Sequence, residues 1–168
     1  MAGLTDQQII DSVSSALKTA VALAEEEEGW TVAKEEEGAV VKMKKNKEGR
    51  KVWLCRATVN VDPAVLWAAL VDTENLTSWN TTLTTSKVLK TLEEDVKVTY
   101  QVTSEGGGGV VSARDFVYGC QTKLVSANKK IIGGLSLTLS DQPEVSGVVR
   151  ALHGPGMQMV EDIGETGK

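Results

Sequence analysis

Residues 51–70, KVWLCRATVNVDPAVLWAAL, contain a strand pattern that changes abruptly into a helix pattern. Across 51–61 the odd positions from Trp53 to Val61 are apolar, whereas the even positions include Arg56, Thr58 and Asn60. Alternation with a period of two predicts a half-buried β-strand over this range. Asp62 and Pro63 then supply a capping acceptor and a proline suited to the first helical position. We therefore predict that a short helix begins there.

On the N-terminal side of this stretch the chain begins with a longer helix pattern. Thr5 and Gln8 have the spacing of a capping box, and apolar residues recur at helical intervals as far as Ala24. The pattern predicts one amphipathic helix over 5–27, which ends before the break at Gly29 and Trp30. Strands are expected to follow it.

On the C-terminal side the chain returns to strand patterns that are separated by turn residues. The predicted strands cover about 84–92, 95–104, 114–125, 130–139, 147–153 and 157–161. Consecutive strands joined by short turns favour an antiparallel sheet, and helices kept apart from the sheet indicate an α+β domain. The length of 168 residues suits one core, so residues 1–168 are expected to form a single domain.

Composition and charge exclude several classes of protein. Hydrophobic residues make up 41% and charged residues 24%, as in folded globular chains. A net charge of −5 argues against nucleic-acid binding, which requires clustered cations. No apolar run suggests a membrane span, and the first residues lack the basic segment of a signal peptide. Two distant cysteines, Cys55 and Cys120, indicate neither a disulfide scaffold nor a zinc site. A cytoplasmic location is therefore expected.

The sequence contains no pattern typical of catalysis. His153 is the single histidine, and no nucleophile motif or cluster of metal ligands accompanies it. The glycine run 106–109 lacks the Gly-Lys-Ser/Thr ending of a phosphate-binding loop and is interpreted as a turn. We therefore expect no catalytic residue, no metal and no cofactor.

Two further groups of residues have an ordinary structural interpretation. The basic run 42–47 is interpreted as a solvated hairpin end, and a weak patch for anionic membranes is the alternative. The tryptophans are expected to pack in the core, because a buried indole removes a large apolar area from water. They are Trp30, Trp53, Trp67 and Trp79.

Four segments, in order, carry a resemblance to a known family. They are EGW at 28–30, SWN at 78–80 with SKVL at 86–89, SARDFV at 112–117, and GVVRALHGP at 147–155. Together they resemble the START lipid-transfer family, most closely its steroidogenic-acute-regulatory-like branch. The resemblance implies a helix-grip fold, in which a long curved antiparallel sheet wraps around a C-terminal helix and a hydrophobic tunnel holds one lipid.

The function implied by the resemblance is that of a non-enzymatic intracellular lipid carrier. The expected ligand is a sterol such as cholesterol, or a similarly shaped apolar molecule such as a carotenoid, with transient contact to membrane surfaces. The main alternative is an interaction or regulatory protein that keeps the scaffold without transferring lipid. A hydrolase or cyclase of the related helix-grip superfamily is disfavoured, because the sequence shows no catalytic cluster.

The resemblance also implies candidate binding residues. In this branch a buried acidic residue and an arginine pair near a sterol hydroxyl, and counting from Arg114 places those positions at Gln101 and Cys120. Both charges are therefore replaced, although an amide can still donate and accept hydrogen bonds. Arg114 and Asp115 are expected to hold a strand and a loop in place. Alternation places Tyr118 on the same side as Cys120, and His153 matches a family histidine for which pocket-lining and structural roles both stay open. The predicted ligand-binding residues are Trp79, Gln101, Tyr118, Cys120 and His153.

In the family, the segment matching 157–161 is followed by further strands and by the helix that closes the tunnel. The sequence here ends at Lys168, so this lid helix is expected to be absent. A sheet without its lid would expose an apolar groove, which favours dye binding or self-association.

Overall fold

The computed structural model describes residues 3–164, which form two α-helices and nine β-strands. Short 3₁₀ turns occur at Thr73–Ser78 and Gly107–Gly109. The helices are α1 (Asp6–Glu25) and α2 (Pro63–Val71). The strands are β1 (Thr31–Glu36), β2 (Ala39–Lys45), β3 (Lys51–Ala57), β4 (Leu83–Glu93), β5 (Val96–Thr103), β6 (Arg114–Ser126), β7 (Lys129–Ser136), β8 (Val149–Arg150) and β9 (Gly156–Glu161).

The strands form two sheets. Strands β1, β2 and β3 pair in that order in a three-stranded antiparallel sheet. The larger sheet has the order β4-β5-β6-β7-β9, all antiparallel, and β8 pairs in parallel with the start of β6. The predicted α+β architecture with antiparallel sheets is confirmed. The predicted strand at 147–153 is reduced to the two residues of β8.

Helix α1 covers one face of the larger sheet. The predicted capping box is present, since Thr5 Oγ1 accepts from the N–H of Gln8 at 3.3 Å and Gln8 Oε1 accepts from the N–H of Thr5 at 2.8 Å. The apolar stripe of the helix packs on β6, β7 and β9. The resulting core contains Ile9, Val13, Val98, Val117 and Leu137. The opposite face of the sheet is left for a site.

The strand prediction at 51–61 identified the alternation but assigned the wrong face. Strand β3 ends at Ala57, and Val52 and Leu54 are its more buried residues, whereas the side chain of Trp53 is 57% exposed. The even face is the covered one, because its cross-strand neighbour Lys44 contacts the segment that follows α1. Core packing was also wrong for Trp79, which is 48% exposed.

The interpretation of 42–47 as a solvated hairpin end is wrong for Lys44. This side chain is only 8% exposed, pairs with the carboxylate of Glu26 and lies 4.4 Å from the centre of the Trp30 ring. The turn itself is at 46–50, where Asn46 and Arg50 share a backbone hydrogen bond of 2.9 Å. The buried cation thus belongs to the packing between the small sheet and the segment that follows α1.

Helix α2 begins where the sequence predicted. Asp62 Oδ1 accepts from the N–H of Ala64 at 2.7 Å, and Pro63 is the first helical residue. The 3₁₀ turn that follows is held to β4 by the hydroxyl of Ser86, which donates to the carbonyl of Thr73 at 2.6 Å. Within residues 3–164, neither helix has the length and apolar character needed to cross a bilayer.

Candidate functional site

The face of the larger sheet opposite α1 lines a cavity of about 320 Å³, which we call the main cavity. Because Val98 and Val117 point into the α1 core, the alternate residues of β5 and β6 point the other way. These include Thr99, Gln101 and Thr103 of β5 and Phe116, Tyr118 and Cys120 of β6.

The rest of the wall comes from the end of α2, the start of β4, the segment between them, and strands β7 and β9. Leu70, Leu76 and Leu83 contribute aliphatic side chains, and Met157 contributes from β9. The 3₁₀ turn follows α2 almost directly, and Leu76 is the apolar residue that it contributes to the wall. The cavity wall therefore combines aliphatic and aromatic side chains with several polar ones, which come both from the sheet, as with Gln101, and from the segment opposite, as with Asn80.

All five residues predicted from the sequence line the main cavity: Trp79, Gln101, Tyr118, Cys120 and His153. Gln101 and Cys120 were expected to face one cavity, and the structure places both in its wall. Their contact with a ligand stays a prediction.

Tyr118 and His153 support the strand that closes one side of the main cavity. Their rings meet edge to face with centroids 5.8 Å apart, and the Tyr118 hydroxyl donates to the carbonyl of Gly156 at 3.5 Å. The N–H of His153 donates to Ser136 Oγ at 2.8 Å. Burial raises the pKa of Tyr118, so its hydroxyl stays neutral. Both residues line the cavity and also hold the 153–156 segment against β6 and β7.

Cys120 lies at the boundary between the main cavity and a second one. Its thiol is buried, and that burial raises its pKa to about 11, although nearby Lys97 acts in the opposite direction. The second cavity, which we call the side cavity, has a volume of about 200 Å³. It shares Thr73, Cys120 and Ile132 with the main cavity. The two spaces therefore adjoin.

The side cavity contains a cation that the sequence analysis missed. Lys97 of β5 lines it and is the cross-strand partner of Cys120. The resemblance places the family's arginine at position 120, which is a cysteine here. The structure has a cation on the adjacent strand instead. The sequence could have predicted this position, because Lys97 and Gln101 are both odd-numbered residues of β5 and therefore lie on the same face of the strand. Glu94 and Asp95 also line this space.

Arg114 and Asp115 lie apart from the main cavity; Asp115 has the structural role expected from the sequence, whereas the guanidinium of Arg114 contacts the nearby carbonyl of Ser112. Asp115 is fully buried and accepts from Arg150 Nε and Nη2, both at 2.9 Å, and from the Tyr100 hydroxyl at 3.0 Å. Arg150 also donates to the carbonyl of Gln142. The hydrogen bonds from Arg150 lower the pKa of Asp115 despite its burial. This network fixes the 142–150 loop on the start of β6, as expected from the sequence.

The arrangement suits the binding of an apolar molecule. Ligand cavities are typically lined by apolar side chains with a few polar groups that set orientation, and they span about 300–1,000 Å³. The main cavity lies at the lower end of this range before the side cavity is added. Gln101 can both donate and accept a hydrogen bond.

Comparison with known proteins identifies the family. The START domain family model matches residues 13–167. The chain is 30% identical over 163 residues to the mitochondrial steroidogenic acute regulatory protein of Mus musculus, and 28% identical to that of Homo sapiens over 164 residues. Each match covers 95% of this chain and 57% of the relative. The chain thus spans somewhat more than half the length of these curated relatives.

Solved structures show the same fold. Human StAR-related lipid transfer protein 5 superposes with a TM-score of 0.88 at 15% identity, covering 95% of this chain and 77% of that one. Human STARD10 superposes with a TM-score of 0.72 at 19% identity, covering 94% of this chain and 65% of that one. The predicted helix-grip fold is confirmed, and the chain belongs to the START domain family.

Proposed function

We propose that this chain binds one lipid molecule in the main cavity and transfers it between membranes. The observation that carries the proposal is the cavity of about 320 Å³ on the face of the larger sheet opposite α1, which is lined by aliphatic and aromatic side chains together with polar groups. Membership of the START family supports it, since a structural relative is named as a lipid transfer protein. Among residues 3–164, no hydrogen bond pairs a nucleophile with a base in either cavity, so binding rather than chemistry is the activity proposed.

We further propose that the ligand is a sterol or a similarly shaped apolar molecule such as a carotenoid. The curated relatives at about 30% identity are steroidogenic acute regulatory proteins. The cavity offers Gln101 as a partner for one hydroxyl group on an otherwise apolar ligand. In this proposal Trp79 and His153 contact the apolar body of the ligand.

The test is uptake and transfer of a fluorescent sterol. The purified chain is first extracted and examined by native mass spectrometry for a co-purifying lipid, and is then mixed with sterol-loaded donor vesicles and empty acceptor vesicles. We expect one sterol bound per chain and accelerated transfer. Repeated empty preparations that also take up no sterol would contradict the proposed ligand class. Binding without transfer would contradict the carrier role and favour an interaction or regulatory protein.

The two cysteines provide an internal control for the location of the ligand. Cys120 lies in the cavity wall, whereas Cys55 is exposed on β3. A bound sterol should slow the reaction of Cys120 with a maleimide and leave the reaction of Cys55 unchanged, as measured by peptide mass spectrometry. Equal protection of both cysteines, or of neither, would mean that the sterol binds elsewhere.

A further inference from the structure

The side cavity has a polar character that one hydroxyl-binding site does not explain. Lys97 is half-buried in its wall, and among residues 3–164 its ammonium has no hydrogen-bond partner and no carboxylate within 4.0 Å. The nearby carboxylate of Asp95 instead accepts from Gln121 Nε2 at 2.9 Å. A half-buried cation without a partner carries an unfavourable desolvation cost. A ligand group that accepts hydrogen bonds would reduce that cost.

The spacing of Lys97 and Gln101 along β5 gives the distance between the two polar ends of the combined cavities. Both are odd-numbered residues of β5 on the same face of the sheet, four positions apart. At about 3.3 Å per residue, their backbones are roughly 13 Å apart. Cys120 lies opposite Lys97 and belongs to the walls of both cavities. The path from Gln101 to Lys97 therefore follows one sheet face past the side chains of Thr99 and Cys120.

We propose that the two cavities form one elongated site with a polar group at each end, and that Lys97 binds a second polar group of the ligand. The inference rests on the lipid-binding function proposed above and specifies its substrate class. The ligand is an amphipathic lipid of sterol length with a hydrogen-bonding group at both ends. The group at the Lys97 end is an acceptor, because an ammonium donates and cannot accept. A hydroxyl and a carboxylate share this chemistry.

The experiment compares three sterol probes on the full chain. Cholesterol has one polar end, 25-hydroxycholesterol has a hydroxyl at each end, and 3β-hydroxy-5-cholenoic acid has a carboxylate at the second end. Dissociation constants are measured by displacement of a fluorescent sterol. We expect at least one two-ended probe to bind about tenfold more tightly than cholesterol. A tenfold change in affinity corresponds to about 1.4 kcal/mol, which is close to the contribution of one hydrogen bond to a charged group. Which of the two is preferred identifies the acceptor.

Variants separate a ligand contact from a structural effect. Lys97→Met should remove the preference for two-ended probes, whereas Lys97→Arg should keep the preference. Lys123→Met is the matched control, because Lys123 is exposed on β6 and lines neither cavity. It should bind all three probes as the unmodified chain does.

The failure of this inference is distinguishable from the failure of the proposed function. If cholesterol binds and neither two-ended probe binds more tightly, the inference is wrong and sterol binding stands. The inference is also wrong, and sterol binding stands, if Lys97→Met weakens the binding of all three probes equally. If the unmodified chain binds none of the three, the sterol assignment and this inference are both overturned.

Discussion

At the scale of single residues, Gly119 shows how closely α1 approaches the larger sheet. A Cβ atom at this position would lie 2.5 Å from Cγ2 of Val13 and 2.9 Å from Cδ1 of Leu137. Both neighbours are buried in the core, and valine has little rotamer freedom with which to move away. Glycine is therefore required at this crossing for reasons of space.

We expect Gly119→Ala to lower the free energy of unfolding by about 1–3 kcal/mol, the range for overpacked cores. Urea denaturation measures the effect. Gly154→Ala is the control, because no atom lies within 4 Å of its added methyl group. Equal stability of the two variants would mean that α1 sits further from β6 than the structure shows.

Gln101 is the residue whose side chain decides whether the main cavity recognises a hydroxyl. Replacement by leucine keeps the approximate size and removes the hydrogen bond. Gln101→Leu should weaken binding of a hydroxylated sterol by ~1 kcal/mol, the net value of one neutral hydrogen bond. The matched comparison is a sterol ester or hydrocarbon without the hydroxyl, whose affinity should not fall. An unchanged affinity for the hydroxylated sterol would place the polar contact elsewhere.

At the scale of elements, the pair Asp115 and Arg150 joins the start of β6 to β8 and its preceding loop. Removal of one partner leaves a buried charge without compensation. Arg150→Met should therefore cost about 3–5 kcal/mol at neutral pH, as measured by chemical denaturation. Arg114→Met is a matched control, since within the described part of the chain the guanidinium of Arg114 donates only to the nearby carbonyl of Ser112. A similar loss in both variants would contradict the assigned role of the pair.

The same pair predicts a pH dependence with a definite sign. Arg150 holds the pKa of Asp115 below its usual value. A lowered carboxyl pKa stabilises the fold above the unfolded-state value of about 3.9, and this contribution is lost as the pH falls through the folded-state pKa. In Arg150→Met, burial without the cation should raise that pKa instead. The difference in the free energy of unfolding between the unmodified chain and Arg150→Met should therefore become smaller as the pH is lowered from 7 towards 4.

At the scale of the whole molecule, the middle of the odd face of the small sheet is apolar and partly exposed within the described residues. Met43 and Trp53 are cross-strand partners on this face, as are Val41 and Cys55. Trp53 is 57% exposed and Cys55 is also exposed. Contiguous apolar surface of this kind commonly binds other molecules or promotes association.

We expect the chain to bind a hydrophobic dye at this face. Trp53→Lys should reduce dye fluorescence by about half or more, because the indole is the largest apolar group exposed there. Val110→Lys is the control, since Val110 is exposed in the glycine-rich turn between β5 and β6. Dye fluorescence that is equal in the two variants would contradict the assignment. Self-association, which the sequence also predicted, is measured in parallel by analytical ultracentrifugation.

Local pattern alone was sufficient for much of the fold. The capping box of Thr5, the start of α2 at Pro63 and the main strands depend on neighbouring residues, so they could be predicted without tertiary information. The resemblance carried by residues 112–117 and 147–155 supplied the family. It also supplied candidate residues that all lie in one cavity wall.

Tertiary structure decided the properties that depend on which faces meet. Alternation shows that Trp53 and Cys55 share a face, but only the packing of α1 and the residues after it determines that the other face is covered. Strand pairing brings Lys97 beside Cys120, although 23 positions separate them in the chain. Such contacts arise from pairing between distant segments, and a period-two pattern contains no information about the partner strand. For this reason the sequence predicted a cavity without charge, and the structure placed a lysine in the adjoining wall.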